Sequence, residues 1–182
     1  MRADRIRTHP SSIDAEAPFS ERLEAARDGK AWALAALYRT LHAKLLRYLA
    51  AREPKLAEAV ARKVWHDVSA GLSSFEGGEA EFNSWVFTLA RRQLVKARAL
   101  DSDDVEAHAL RPFDQRTQAA LRAIADLPED EADVFLLRAI VGLTTDEIAA
   151  IVGKPRPVVR LLQQCAIERL VRSRRGTREL VA

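Results

Sequence analysis

The side chains best suited to chemistry in this sequence are cationic and amide groups set at helical spacing. Arg91, Arg92, Lys96 and Arg98 form one cluster, and Lys154, Arg156, Arg160, Gln163 and Gln164 form another just past Gly153. Arginine and lysine neutralise phosphates, each such contact adding about one unit to the salt dependence of binding. Glutamine pairs with adenine edges and arginine with guanine edges, so the second cluster is equipped to read bases. A cationic run on one helix also has a plain reading as a solvated face. A third group, Glu58, Ala59, Arg62, Lys63, His66 and Asp67, shares the outward side of another helical stretch.

Other chemistry is not legible. No Walker loop, dinucleotide fingerprint, catalytic triad or carboxylate pair placed for acid–base work occurs, so catalysis is not expected and no cofactor is implied. His9, His42, His66 and His108 show no ligand spacing, so no metal site is expected, and the single Cys165 excludes an internal disulfide. No apolar run approaches the roughly 18 residues of a membrane span, and the Arg-bearing start has no apolar core of a signal peptide. A soluble protein of a reducing cytoplasm, without a membrane partner, is the expectation.

The elements that must position these residues read as helices. Across 182 residues, 48% are apolar while only 7 are Gly and 7 are Pro, and β-branched runs are short, so an all-α fold is expected. The formal charge of +3 and pI near 9.3 are modest as sums, but the bases cluster apart from the acids, which favours a nucleic-acid partner.

Residues 1–18 lack apolar periodicity and are expected to form a mobile tail whose Arg2, Arg5 and Arg7 are within reach of DNA. Residues 19–100 are expected to form one helical domain. In it Trp32, Leu34, Leu37, Tyr38, Leu41, Leu45, Tyr48 and Leu49 mark a long helix that Pro54 stops. Ala57, Val60, Ala61, Val64, Val68 and Leu72 mark a second helix, and Gly77 and Gly78 break the chain before a third that runs to about Ala99. Phe82, Trp85, Val86 and Leu89 bury one side of that third helix, the two aromatics being read as core before stacking platforms.

The acidic stretch 101–115, with Pro112, reads as a flexible linker, and residues 116–175 as a second helical domain before a short tail, 176–182. There Pro128 sits near a helix start and Gly142 ends that helix. Thr144 and Glu147 have the spacing of a capping box for a helix over 145–152. Gly153 then turns the chain into a longer helix, which is helix-turn-helix anatomy. The residue before Pro157 is biased away from helix, so that last helix is expected to begin at Pro157, with Val158, Val159, Leu162, Ile167 and Leu170 on its core side.

Read together, "LAEAVARKVW", "FEGGEAEFNSWVFTLARRQL" and "ALRAIADLPEDEADVFLLRAIVGLTTDEIAAIVG" resemble, in order and spacing, the extracytoplasmic-function class of the sigma-70 family of RNA polymerase sigma factors. The resemblance covers almost the whole chain past residue 18. It implies two helical domains. The first would hold core RNA polymerase through the face at residues 58–67 and open the minus-ten promoter element, using Arg91, Arg92, Lys96 and Arg98. Its loop at Gly77 and Gly78 would cup a flipped non-template base. The second would read the minus-thirty-five element through Lys154, Arg156, Arg160, Gln163 and Gln164. An anti-sigma factor or a modifying kinase is the regulator such a chain implies.

The departures from the family pattern fall on the functional faces. Ala59, Arg62 and Lys63 stand where an acid, a glutamine and a glutamate are usual, so the polymerase face has its sign reversed. Arg92 and Lys96 replace an asparagine and an aspartate, and Leu162 and Cys165 stand where basic residues are common. A chain that engages polymerase only after negative charge is supplied fits this pattern, with Ser69 the nearest hydroxyl on that side. So does a contact shifted to Glu58 and Asp67. Two further functions remain open: a sigma-like mimic that sequesters an anti-sigma regulator, and a helix-turn-helix repressor using the second domain alone.

Overall fold

The computed structural model describes residues 17–100 and 115–179, and every element among them is helical. Most of the expected N-terminal tail with its three arginines, nearly all of the expected linker, and the last three residues lie outside the described residues.

Among the described residues, four helices precede the linker. α1 spans Phe19–Arg27, a helix that the apolar pattern does not announce, and buries Leu23 and Ala26. α2, Ala31–Arg52, buries Leu37, Leu41, Leu45, Tyr48 and Leu49 on one side, and the chain leaves helix at Glu53, just before Pro54. α3, Ala57–Gly71, buries Val60, Ala61, Val64 and Val68 as their spacing predicts, together with Trp65. A short 3-10 turn, Leu72–Ser74, leads through a loop into α4, Glu79–Leu100, which buries Phe82, Val86, Phe87, Leu89, Ala90 and Leu94.

Four more follow: α5, Gln115–Ala125; α6, Glu129–Leu136, continued by a π turn over Leu137–Val141; α7, Thr145–Val152; and α8, Arg156–Glu179. The capping box forms as spaced: Thr144 accepts from the Glu147 amide at 3.3 Å, and the Glu147 carboxylate accepts from the Thr144 amide at 2.7 Å. This satisfies two first-turn donors that no helical carbonyl can reach. Gly153 then takes φ +67°, the left-handed conformation in which a Cβ is strained, and so turns the chain from α7 into α8.

α8 departs from expectation at two points. It begins at Arg156, one residue earlier than predicted, with the Val159 amide donating to the Pro155 carbonyl at 3.1 Å. Pro157 is tolerated in the first turn because the amide it lacks has no intrahelical partner, and the bias on the residue before it gives way to the helix. The core side is Val159, Leu162, Ala166 and Leu170, an i, i+3, i+7, i+11 row, whereas Val158 and Ile167 are exposed.

The two groups of helices share one continuous apolar core, running from Leu23 through Phe87 and Leu136 to Ala166. α4 packs on α7, and α2 packs on α5, α6 and the π turn. Faces from both sides of the linker are thereby set against each other.

Candidate nucleic-acid and partner faces

In the helix-turn-helix, α7 is anchored by Ile148, Ile151 and Val152, and α8 presents Arg156, Arg160 and Gln164 outward. Arg156 pairs with Asp146 of α7, and the Gln164 amide donates to Glu168 at 3.2 Å. Gln163 is half-buried. Lys154, in the turn, pairs with Asp130 at 3.1 Å. The five predicted reading residues thus lie along one turn and helix start, three of them exposed and Lys154 held by an acid. Arg169, further along α8, pairs with the nearly buried Glu131 at 3.0 Å and ties α8 to α6.

The cationic row of α4 divides. Arg92 and Lys96 are exposed, Arg92 lying 3.8 Å from Asp67. Arg91 and Arg98 instead face the helices beyond the linker. Arg91 Nε donates to Asp133 at 2.7 Å and its Nη2 to Asp130 at 2.6 Å. Arg98 lies 3.5 Å from Glu129 and donates to the Arg52 carbonyl at 3.1 Å.

Asp133 is the centre of this arrangement and is only 1% exposed. Besides Arg91 it receives the Tyr48 hydroxyl at 2.9 Å and lies 3.0 Å from Arg52 Nε, whose second nitrogen is 3.5 Å from Glu129. A buried carboxylate is tolerated only when paired and hydrogen-bonded, and here two guanidinium groups and a phenol supply both. Burial, followed by the charge and hydrogen bond of Asp133, raises the Tyr48 phenol well above its ordinary value. Burial works against the charge of Arg91, but the hydrogen bond and charge of Asp133, with Asp130, outweigh it and raise the guanidinium. The sequence pattern marks Tyr48 only as an apolar position of the long helix and does not mark Arg52 or Asp133; the one local signal is an acid inside the apolar run "ADVFLL".

The loop before α4 is braced. Gly77 has φ +137°, and a Cβ there would lie 2.7 Å from the Cβ of Glu81. Arg27 donates to the Gly77 carbonyl at 3.4 Å, and the Glu81 carboxylate accepts from the Gly78 amide at 3.0 Å. Phe82 is core as expected, but Trp85 is only half-buried: its ring stacks on Phe75 with centroids 4.9 Å apart and planes 20° apart. Both glycines are exposed beside this stack.

On α3, Arg62, Lys63 and His66 are exposed, and Glu58 and Ala59 are partly so. Asp67 accepts from the Gln93 amide at 2.6 Å and lies 3.8 Å from both His66 and Arg92, so it ties α3 to α4. Ser69 is exposed, its hydroxyl donating to the Trp65 carbonyl at 3.1 Å. Beside this face Tyr38 stacks on His42 at 4.3 Å and leans on Trp65 at 4.9 Å. Among the described residues no cluster of ligating side chains suits a metal ion, and no helix is long and apolar enough to cross a membrane.

Comparison with known proteins places this geometry. Residues 117–162 match the family "Sigma-70, region 4". An ECF RNA polymerase sigma factor, ShbA of Streptomyces griseus, is 27% identical over 170 residues, covering 79% of this chain and 88% of the relative. CnrH, solved in complex with the cytosolic domain of CnrY, superposes with TM-score 0.63 at 19% identity over 84% of this chain and 94% of its own. The sigma factor RpoE of Bartonella quintana, solved with the anti-sigma factor NepR, gives TM-score 0.63 at 21% identity over 76% of this chain and 96% of its own. The chain is similar to extracytoplasmic-function sigma factors of the sigma-70 family, by sequence and by an all-α fold.

Proposed function

We propose that this chain is an alternative sigma factor that joins core RNA polymerase in the cytoplasm and directs initiation at its own set of promoters, without enzymatic activity of its own. The observation that carries the reading is the helix-turn-helix: a capped α7, a left-handed Gly153 and an α8 whose Arg156 and Arg160 stand outward within residues 117–162, the stretch that matches sigma-70 region 4, with the outward Gln164 just beyond it. Arginine forks and glutamine amides on such a helix suit both phosphates and base edges. The helices before the linker supply Arg92 and Lys96 for the promoter strand and the loop at Gly77 and Gly78 for an unstacked base. We read residues 19–100 and 116–175 as the two working domains.

Transcription in vitro with core polymerase, a library of promoter fragments, and either the chain or its charge-restored Ala59→Asp, Arg62→Gln, Lys63→Glu variant tests this reading. Discrete starts that need the chain are expected. No start on any fragment, with binding of an anti-sigma protein retained, would favour the mimic instead.

The polymerase face supports a finer reading. Arg62 and Lys63 are exposed and bring positive charge where the family pattern has a glutamine and a glutamate, and the partly exposed Ala59 stands where an acid is usual. If the partner surface is basic, this juxtaposition costs on the order of several kcal/mol. Engagement then requires added negative charge, from phosphorylation or an acidic partner protein. A shifted contact through Asp67 is less favoured, because that carboxylate is already drawn to Gln93 and Arg92. The combined Ala59→Asp, Arg62→Gln and Lys63→Glu variant is expected to bind core polymerase more tightly than the unmodified chain. Tight binding of the unmodified chain at physiological salt sinks the charge requirement.

A further inference from the structure

Val158, Leu161, Ile167 and Val171 of α8 make up most of the large apolar side chains left exposed among the described residues. None belongs to the core row of Val159, Leu162, Ala166 and Leu170, so packing against α5, α6 and α7 does not account for them. Leu161 is the most open of the four, at 60% exposure. By the helical repeat it stands on the same outward side as Arg160 and Gln164, one turn past Pro157 and one turn before Gln164. Val158 borders it from the preceding turn, whereas Ile167 and Val171 come later, beyond the first turns with which such a helix meets base edges. An exposed leucine offers a phosphate nothing. What it suits in the major groove is the C5-methyl of thymine, the apolar group that base edges present there. Gln164, whose amide also donates to Glu168 at 3.2 Å, suits adenine. Every A·T pair carries the adenine acceptor and donor beside a thymine methyl, so the glutamine and the leucine ask for the same kind of base pair.

We propose that Leu161, bordered by Val158, is a specificity-determining residue of α8 that recognises the C5-methyl group of thymine in the DNA major groove. The contact separates thymine from cytosine by burying that methyl against the leucine side chain, with no hydrogen bond of its own. Arg160 takes a phosphate and Gln164 an adenine edge, so the first turns of α8 hold an electrostatic, a hydrogen-bonding and an apolar contact side by side. Because the methyl is the recognised group, 5-methylcytosine at that position is favoured over cytosine, which makes the contact responsive to cytosine methylation of the DNA. The inference rests on the reading of α8 as the DNA-contacting helix, and names the group that it reads.

The test uses the full chain and duplexes that it enriches from a pool of random sequence. Deoxyuridine then replaces thymidine in the enriched duplex, one position at a time, which removes the methyl and leaves every hydrogen-bonding group in place. At the position read by Leu161 the affinity is expected to fall about fourfold, the factor supplied by burying one methyl group. Leu161→Ala, which leaves the core row untouched, is expected to bind the thymidine and deoxyuridine duplexes equally, with its salt slope unchanged because no phosphate contact is lost. With cytosine at that position, 5-methylcytosine should bind the unaltered chain about fourfold more tightly than cytosine itself. If no single deoxyuridine weakens binding, or if the loss is as large in Leu161→Ala, the proposal is overturned while the enriched sequence still supports α8 as a reading helix. A chain that enriches no sequence overturns the reading helix itself, and this inference with it. Leu161→Ala that changes the sedimentation of the chain but not the deoxyuridine effect assigns the leucine to contact between copies, and overturns the proposal as well.

Discussion

Arg91 of α4 and Lys154 of the turn before α8 meet on one carboxylate, that of Asp130, at 2.6 Å and 3.1 Å. The two cations come from opposite sides of the linker, and each is a candidate for contact with DNA. Their shared partner means that the two candidate surfaces are neutralised together when the helices are packed as described.

Asp133 is the most sensitive position in this contact. Asp133→Ala leaves Arg52 and Arg91 facing each other without their buried counter-ion, and stability measured by urea denaturation should fall by about 3–5 kcal/mol. Tyr48→Phe removes one donor from a carboxylate that keeps both guanidiniums, so its cost should be about 1 kcal/mol. Equal losses in the two variants would mean that the phenol, not the ion pairs, organises the site.

Tyr48 also sets an alkaline limit. Its folded pKa is raised by burial and then by Asp133, above an ordinary value near 10.0. The folded chain therefore keeps a proton that the unfolded chain releases, and stability is unaffected below pH 10 and declines as pH rises beyond it. Tyr48→Phe should show a shallower decline between about pH 10 and 11.5. An unchanged slope, or phenolate absorbance of Tyr48 rising near its ordinary value in the folded chain, contradicts this account.

Two glycines should differ in tolerance. Gly153 has open space around its missing side chain, so Gly153→Ala costs only the left-handed backbone strain, about 1 kcal/mol. Gly77→Ala adds a clash with Glu81, within the helix that would have to shift, and should cost about twice as much. Thermal unfolding of the pair measures the order, and the reverse order contradicts the loop geometry.

Base reading and phosphate contact separate by salt. Arg160→Ala should reduce the salt slope of duplex binding by about one unit with little change in sequence preference. Gln164→Ala should leave the slope intact and relax discrimination by about 1–3 kcal/mol at one base pair. Anisotropy titrations on matched and mismatched duplexes distinguish the two, and a sequence-neutral loss in the glutamine variant removes it from the reading set.

Local rules carry most of the helices. The stripe of α3 and the capping box before α7 follow from residues three and four apart, and the structure repeats them. α8 is harder, because Val158, Val159, Leu161, Leu162, Ile167 and Leu170 leave apolar groups on several sides and the core row is decided by what α5, α6 and α7 offer it. The Asp133 cluster is harder still. Tyr48 and Arg91 are separated from it by 85 and 42 residues, and no local period ties an acid in one helix to bases in two others. Arg91 and Arg98 therefore look like their solvent-facing neighbours Arg92 and Lys96 until the helices are packed.

The bond between Asp67 and Gln93 makes α3 and α4 share a charge. His66 on one helix and Arg92 on the other draw on the same carboxylate, so substitutions at these positions cannot be scored one at a time. Their effects will be epistatic, and a residue exchanged on one face must be judged with its counterpart on the other.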